Sequence, residues 1–308
     1  MKVYDCFCFF NEIDILEARL NLLDEKVDYF VISEAEYTHS GKYKGFGLEI
    51  HKKRLSKWWK KIKHVKVYEK GLSNDSWFLE NIQRNKILEE IRPDDEDIIL
   101  ISDIDEIPYP SKIPDNISPG RVISFLQNMR YFFIDCAVED HLIWEGGTRA
   151  VCFLTIKNNL LKERASSYNE VSFRRELNKM TTLTKIRLYR HVDFIFDGGY
   201  HLGWMGGVDS IIKKILATPH QEINTDKRRN RINIENNLGN GIDPISGKKI
   251  IKLKETRFEN TDLENLFSES FFLNKLLIKE ALTFKIRTRK LYEICNIWIR
   301  NLLRKFFD

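Results

Sequence analysis

The stretch that decides the fold runs from residue 98 to residue 108 and reads Ile98-Ile99-Leu100-Ile101-Ser102-Asp103-Ile104-Asp105-Glu106-Ile107-Pro108. Four apolar residues with almost no polar face predict a central strand that is covered on both sides. Three acidic residues follow, and Pro108 ends the run. A buried strand that leads into carboxylates indicates an open α/β sheet, because ligands of such sheets bind at the carboxyl ends of the strands.

The carboxylates after this strand suggest a cation site. Asp103 and Asp105 are two positions apart, so along a strand they share a face. They can hold a hard divalent cation through oxygen ligands, and that cation can bridge phosphate oxygens. Without a cation or donors, three adjacent acids repel one another. A solvated acidic turn that caps a helix is the alternative, and the apolar strand before the acids favours the metal site.

The segments before and after this stretch differ in pattern. The first hundred residues predict strands at 3–10, 29–32 and 65–68 and helices at 13–23 and 77–91. This alternation is typical of a parallel α/β sheet. Later segments predict antiparallel strands at 121–126, 130–134, 151–156 and 185–189, and a helix at 208–216. Residues 224–260 carry Asn-Gly, Asp-Pro and Ser-Gly-Lys punctuation and predict loops, and the pattern is helical again from residue 271.

The charge of the chain is concentrated at one end. The 308 residues hold 50 Lys and Arg against 45 Asp and Glu, a net charge of +5. Residues 271–308 hold nine basic and three acidic side chains, which leaves 41 basic against 42 acidic in residues 1–270. This nearly neutral body excludes a globally basic nucleic-acid binder. Five cysteines without a CxxC pair, and an N-terminal apolar run broken by Asp5, predict reduced thiols, no signal peptide and a cytoplasmic location.

Four motifs in order resemble those of glycosyltransferase family 17 over about residues 3–222. The first is Asn11-Glu12-x-Asp14-x-Leu16-x-x-x-Arg19-Leu20, which continues to Val27-Asp28-x-Phe30-Val31-x-x-Glu34 and Thr38-x-x-Gly41. The second is Trp77 with Arg84, and the third is Asp103-x-Asp105-Glu106-Ile107-Pro108. The fourth is Gly198-Gly199-Tyr200-His201-x-x-Trp204, followed by Asp209, Lys214, His220 and Glu222.

This resemblance implies an α/β GT-A fold, Rossmann-like, with a mixed central sheet and C-terminal helices. The catalytic domain would span 1–260, with a nucleotide-binding half of about 1–110 and an acceptor half of about 111–260. The reaction it implies is an inverting transfer from UDP-GlcNAc with Mn²⁺ or Mg²⁺. Since no anchor precedes the body, we expect a bacterial or viral member that acts on a surface polysaccharide or a lipid-linked oligosaccharide.

The resemblance also assigns the metal ligands. Asp105 matches the direct ligand, and Asp103 lies near the ribose or the metal. His201, in its glycine-rich turn, is expected to complete the metal shell, and imidazole suits Mn²⁺. His220 is the weaker alternative.

Other positions match donor-binding and catalytic roles. Glu34 would meet the uridine, or cap a turn. Arg84 would pair with the diphosphate or with an acid, and Lys214 would reach the pyrophosphate or lie in solvent. For the base that takes the acceptor proton, Asp209 is the first choice and Glu145 the second; Asp209 is also a residue favoured at a helix start.

Two other functions compete with this interpretation. A sugar nucleotidyltransferase would also use carboxylates and a metal, but it needs a glycine-rich basic loop where Asn11-Glu12-Ile13-Asp14 stands. A non-enzymatic module that binds a membrane or nucleic acid would depend on the basic C-terminal tail, residues 261–308, of which residues 271–308 are expected to contact an anionic membrane surface. Leu291, Ile294, Trp298, Leu302 and Phe306 fall on one helical face there, which suits either an anionic membrane surface or docking on the domain.

Overall fold

The computed structural model describes residues 1–69, 76–158, 183, 186–187, 192–253 and 290–300. The strands are β1 (Val3–Phe9), β2 (Tyr29–Ala35), β3 (Ile62–Val67), β4 (Ile98–Asp103), β5 (Glu106–Pro108), β6 (Ile123–Phe125), β7 (Gln127–Tyr131), β8 (Cys136–Val138), β9 (Ile143–Trp144), β10 (Arg149–Cys152), β11 (Asp193–Ile195), β12 (Gly199–Gly203) and β13 (Ile250–Lys252). The helices are α1 (Ile13–Leu23), α2 (Ser76–Glu90), α3 (Phe153–Lys157), α4 (Gly207–Ala217), α5 (Asp226–Arg229), α6 (Arg231–Gly239) and α7 (290–300).

A seven-stranded mixed sheet organises the fold, in the order β11-β6-β10-β4-β1-β2-β3. The strands β4, β1, β2 and β3 run parallel, and β10 joins β4 antiparallel. The predicted central strand is the middle one of the seven, and three later strands, β6, β10 and β11, extend the sheet that the first four begin. The architecture is a mixed α/β fold compatible with a Rossmann-like fold.

The strands are apolar on both faces because a separate core covers each face. On one face, Phe7 and Leu100 pack with Leu16 and Leu20 of α1. The other core contains Cys6 and Ile101, together with Ile87 of α2. Burial on both sides explains why β4 lacks the alternation of a half-exposed strand.

A second, four-stranded sheet stands beside the first, in the order β5-β12-β7-β9. It brings His201 opposite Glu106, since β12 pairs antiparallel with β5. Gly199 has a φ of 138°, and a Cβ there would lie 2.1 Å from the carbonyl oxygen of Ile107. Glycine at this position therefore allows β12 to approach the backbone of β5 closely.

Three sequence predictions are wrong in detail. The strand predicted at 151–156 ends at Cys152, where β4 begins opposite it, and α3 follows. Within the predicted strand 185–189, the described residues Ile186 and Arg187 are helical. The loop predicted at 224–260 contains α5, α6 and β13; α6 buries only Ile234 and Leu238, a stripe too narrow to detect in a polar sequence.

The C-terminal helix α7 docks on the domain. Ile297 is buried and packs with Leu126 and Ile143, and Ile294 is partly buried beside them. The apolar face predicted from the sequence is therefore divided, since Leu291 and Trp298 are exposed. Leu302, Phe306 and the predicted boundary at residue 260 lie outside the described residues. In the part of the chain that the structure describes, no helix is long and apolar enough to cross a membrane.

Candidate active site

The acidic loop, residues 103–106, lies where the two sheets meet. Residue Asp103 ends β4 opposite Cys8 of β1, and Glu106 begins β5 three residues later. The loop therefore leaves the central parallel strand at its carboxyl end and enters the second sheet at once. Because both ends of this turn belong to sheets, its carboxylates have fixed positions, unlike those of a free surface loop.

A buried arginine holds this loop from beneath. Arg19 of α1 is completely buried and donates to the carboxylate of Asp5, at 2.6 and 2.8 Å. It also donates to the backbone carbonyl oxygens of Asp103, Ile104 and Glu106, at 3.1, 3.1 and 2.8 Å. Its five donors form a rigid fork, so these acceptors fix the path of the loop. Arg19 belongs to a motif quoted above, but no role could be assigned to it from the sequence.

Two arginines hold Asp103. The Arg84 guanidinium lies 2.8 Å from one carboxylate oxygen and that of Arg187 lies 3.2 Å from the other. Partial burial alone would raise the pKa of Asp103, but Arg187 and Arg84 outweigh it and the pKa is lowered. Of the two partners considered for Arg84, the structure shows an acid, Asp103. Arg187 was missed, because it lies 84 residues further along the chain.

The Asp105 carboxylate has a different pair of partners. The ammonium of Lys214 lies 2.8 Å from one oxygen, and Nε2 of His201 lies 3.7 Å from the other. Burial raises the pKa of Asp105, yet Lys214 and His201 bring it well below its usual range. Burial alone would lower the pKa of Lys214. The nearby Asp105 carboxylate has the larger, opposite effect, so the pKa of Lys214 is raised. Lys214 is therefore not a solvated surface lysine.

The third acid of the loop, Glu106, is a buried organiser. One of its oxygens accepts the indole N–H of Trp144 at 2.7 Å, and the other accepts from Arg187 at 2.6 Å and from the backbone N–H of Asp103 at 2.8 Å. The Trp144 ring also packs on His201, with ring centroids 4.7 Å apart. Glu106 thus fixes both the loop and the wall beside it, a role that the sequence did not reveal.

The Glu34 carboxylate ends β2 at the same edge of the sheet and is completely buried. Its oxygens accept from the backbone N–H groups of Gly47 and Leu48, at 2.6 and 3.2 Å, from Lys44 at 3.2 Å and from the ring of His64 at 3.0 Å. Burial raises its pKa, but His64, Gly47, Lys44 and Leu48 together lower it. Glu34 therefore caps a turn in this structure.

Three predicted residues lie apart from the cluster around Asp105. Asp209 is exposed at the start of α4 and pairs with Arg231. Since five residues turn a helix by about 500°, Asp209 and Lys214 point in directions some 140° apart. His220 is also exposed and pairs with Glu222 at 2.7 Å. Glu145 follows Trp144 and pairs with Arg300 of α7 at 2.5 Å.

The donors present suit a divalent cation by type, since carboxylate oxygens and an imidazole nitrogen meet at one sheet edge. Across the described residues, however, no group of three or more His, Cys, Asp and Glu side chains is placed to hold a metal ion. The positive charge nearest to Asp105 is the Lys214 ammonium, 2.8 Å from one carboxylate oxygen.

The comparison with known families fits this geometry. Residues 1–115 match the family model described as Glycosyltransferase family 17. The match supports a glycosyltransferase function, and a family of this kind implies a sugar donor and a glycan acceptor. Residues 1–115, somewhat more than a third of the chain, are thus similar to glycosyltransferase family 17. No curated protein matches it. The matched residues include Arg19, Glu34 and the acidic loop, whereas Lys214 and His201 lie beyond them.

We predict that Arg19→Met lowers the free energy of unfolding by about 3–5 kcal/mol, because it leaves the Asp5 carboxylate buried without a partner. Urea unfolding at pH 7 measures this loss. Arg54→Met is the matched control, since Arg54 pairs with Asp14 and Glu17 at the surface, and its loss should stay within about 1 kcal/mol. Equal losses for the two variants would contradict the role given to Arg19.

The lowered pKa of Glu34 predicts a pH-dependent contribution to stability. At pH 7, Glu34→Gln should lower the free energy of unfolding by about 2 kcal/mol, because the ionised carboxylate accepts several hydrogen bonds. Since the folded pKa lies below the unfolded value of about 4.3, the contribution is complete above that value and is lost as the pH falls through the folded pKa. Urea titrations from pH 7 to pH 3 should show that the difference in free energy of unfolding between the wild type and Glu34→Gln becomes smaller. Glu25→Gln, at an exposed position, should show no gap at any pH.

Proposed function

We propose that this chain is an inverting, metal-dependent glycosyltransferase of GT-A fold that transfers GlcNAc from UDP-GlcNAc to a glycan acceptor. The observation that carries the proposal is the pair of aspartates, Asp103 and Asp105, held at the carboxyl end of the central strand. The similarity of residues 1–115 to glycosyltransferase family 17 supports the transfer of a sugar. A surface polysaccharide or a lipid-linked oligosaccharide is the acceptor class that we infer.

The Asp105 carboxylate is the residue that we propose as the main ligand of Mn²⁺ or Mg²⁺, with Asp103 and His201 beside it. A bound divalent cation would neutralise the charge that develops on the diphosphate leaving group. Two contacts of His201 support this role: its ring packs on Trp144, and its Nδ1 lies 3.1 Å from the sulfur of Met129. This arrangement leaves Nε2 on the side of Asp105.

The basic side chains would act on the same diphosphate. Lys214 carries its charge next to Asp105, so a phosphate that approaches this carboxylate also approaches an ammonium group. Arg84 and Arg187 keep Asp103 ionised and oriented. Charge-assisted hydrogen bonds of this kind are about twice as strong as neutral ones, which suits the binding of a nucleotide diphosphate.

The first loop argues against a nucleotidyltransferase. After β1, the carboxylate of Glu12 accepts the backbone N–H groups of Asn11 and Phe10, at 3.1 and 3.4 Å. These N–H groups therefore turn toward an acid of the chain itself. A loop that cradles a phosphate needs them for the anion.

For the base, the geometry now favours Glu145 over Asp209. Glu145 adjoins Trp144, which contacts both Glu106 and His201. A base must reach the acceptor hydroxyl near the sugar, so a residue that directly follows Trp144 is a better candidate than one on the exposed side of α4. We therefore propose Glu145 as the base and keep Asp209 as the second candidate.

We predict that the chain releases UDP from UDP-GlcNAc in the presence of Mn²⁺, and that Asp105→Asn lowers this rate by at least about 100-fold. A coupled assay for UDP, with and without EDTA, measures the rate. The control is Asp115→Asn, because Asp115 is exposed and pairs with Lys26 at the surface, and its rate should match that of the wild type. A rate that is insensitive to EDTA and to Asp105→Asn would overturn the metal assignment.

The two base candidates differ in their pH profiles. With water in place of the acceptor hydroxyl, Glu145→Gln should lower kcat for UDP release by about 100-fold or more, and the acid limb of its pH profile should disappear. The KM for the donor should stay unchanged. Asp209→Asn should keep both kcat and the acid limb. The reverse result would assign the base to Asp209.

A further inference from the structure

The helix α7 presents an exposed apolar strip on the side away from the domain. Its members are Leu291, Tyr292, Cys295, Trp298 and Ile299. Tyr292 is 67% exposed and Leu291 60%, with Trp298 at 52%. At about 100° per residue, all five lie within an arc of some 120°. Scattered exposed apolar residues need no explanation, but a contiguous strip on one helix face does.

The opposite face of α7 fixes the helix to the domain. The Glu293 carboxylate accepts the backbone N–H groups of Leu142 and Ile143, at 3.1 and 3.0 Å. At the two ends, Lys290 lies 3.5 Å from Asp197 and Arg300 lies 2.5 Å from Glu145. The strip is therefore exposed because the other face is already used, and it has a set position on the molecule.

We propose that this strip, the residues Leu291, Tyr292, Cys295, Trp298 and Ile299, docks the protein on the surface of an anionic lipid bilayer. A helix with Trp, Tyr and aliphatic residues on one face suits the boundary between headgroups and acyl chains. Aromatic rings with a polar atom favour that boundary because one end is apolar and the other is hydrated.

The charge of the flanking sequence selects an anionic surface. Residues 271–289 contain five basic side chains and one acidic side chain, and residues 301–308 contain two basic and one acidic. The basic residues of the helix itself, Lys290 and Arg300, are engaged by the domain, so the flanks supply the charge. Basic residues near an anionic membrane strengthen binding to it.

A second copy of the chain fits the strip less well. Two copies that met through α7 would bring two segments of like charge together, and these would repel. A stable interface also uses roughly 20–30 residues on each side, and the strip offers five. The bilayer meets neither difficulty, because its surface is negative and accepts a narrow apolar strip.

The strand β9 connects α7, which carries the strip, with the acidic loop. The backbone of Ile143 is bound by α7, and the next residue, Trp144, contacts Glu106. A bilayer that held α7 would therefore lie near the candidate active site. This placement suits an acceptor carried on a lipid, although binding to the bilayer does not depend on the proposed transferase activity.

Vesicle co-sedimentation of the full chain tests the proposal without any sugar donor. The protein should pellet with phosphatidylglycerol-containing vesicles, and pelleting should fall with pure phosphatidylcholine or in 0.5 M salt, because salt screens charge. Leu291→Ser with Trp298→Ser should weaken binding by at least about tenfold. The matched control is Ile50→Ser with Ile232→Ser, which removes two exposed apolar side chains elsewhere.

A second variant, Tyr292→Ser with Ile299→Ser, should weaken binding in the same way, so the test does not depend on one pair folding. Thermal unfolding of each variant confirms that the domain is intact. Equal pelleting of both strip variants and of the control would overturn the proposal. A wild-type dimer in light scattering that the strip variants convert to a monomer would also overturn it, because the strip would then be a subunit interface.

Discussion

The buried pair of Arg19 and Asp5 is the interaction on which the rest of the site depends. A fully buried ion pair adds little net stability, since removing two charges from water costs about as much as their attraction returns. The pair matters because of where it places the Arg19 guanidinium. Asp5 stands in the strand next to β4, and Arg19 reaches from α1 across that strand to three carbonyl oxygens of the acidic loop. The pair ties the loop to the most buried part of the sheet.

Opposite charges balance one another around this loop. The acids Asp103, Asp105 and Glu106 would repel if they stood alone. Arg84 and Arg187 compensate Asp103, while Lys214 compensates Asp105. The cluster is thus close to neutral, and it keeps its aspartates ionised. An incoming diphosphate meets basic groups, and an incoming cation meets carboxylates, in the same small volume.

The sequence predicted much of the fold and the centre of the site. The apolar run at 98–101, the helix at 13–23 and the acids at 103–106 are local patterns, and each is found where it was expected. The α6 helix was missed because its buried stripe has only two residues. Strand ends were misplaced where pairing decides them, as at Cys152, whose strand stops because its neighbour begins there. Hydrophobic periodicity depends only on residues that are close in sequence, so it does not show where a partner strand begins or ends.

By itself, the sequence determined which strand is central and that it leads into carboxylates, because burial on both faces and a run of acids are written in consecutive residues. Only the tertiary structure decided what those carboxylates contact. Arg19 and Arg187 stand 84 residues before and after Asp103, and Lys214 comes from a helix beyond the second sheet. The tertiary structure also decided which face of α7 is covered: Ile294 and Trp298 lie one helical turn apart, and the first packs on the domain while the second is exposed. Contacts between distant segments depend on where the sheet edges and helices meet, and no local pattern of residues encodes that meeting.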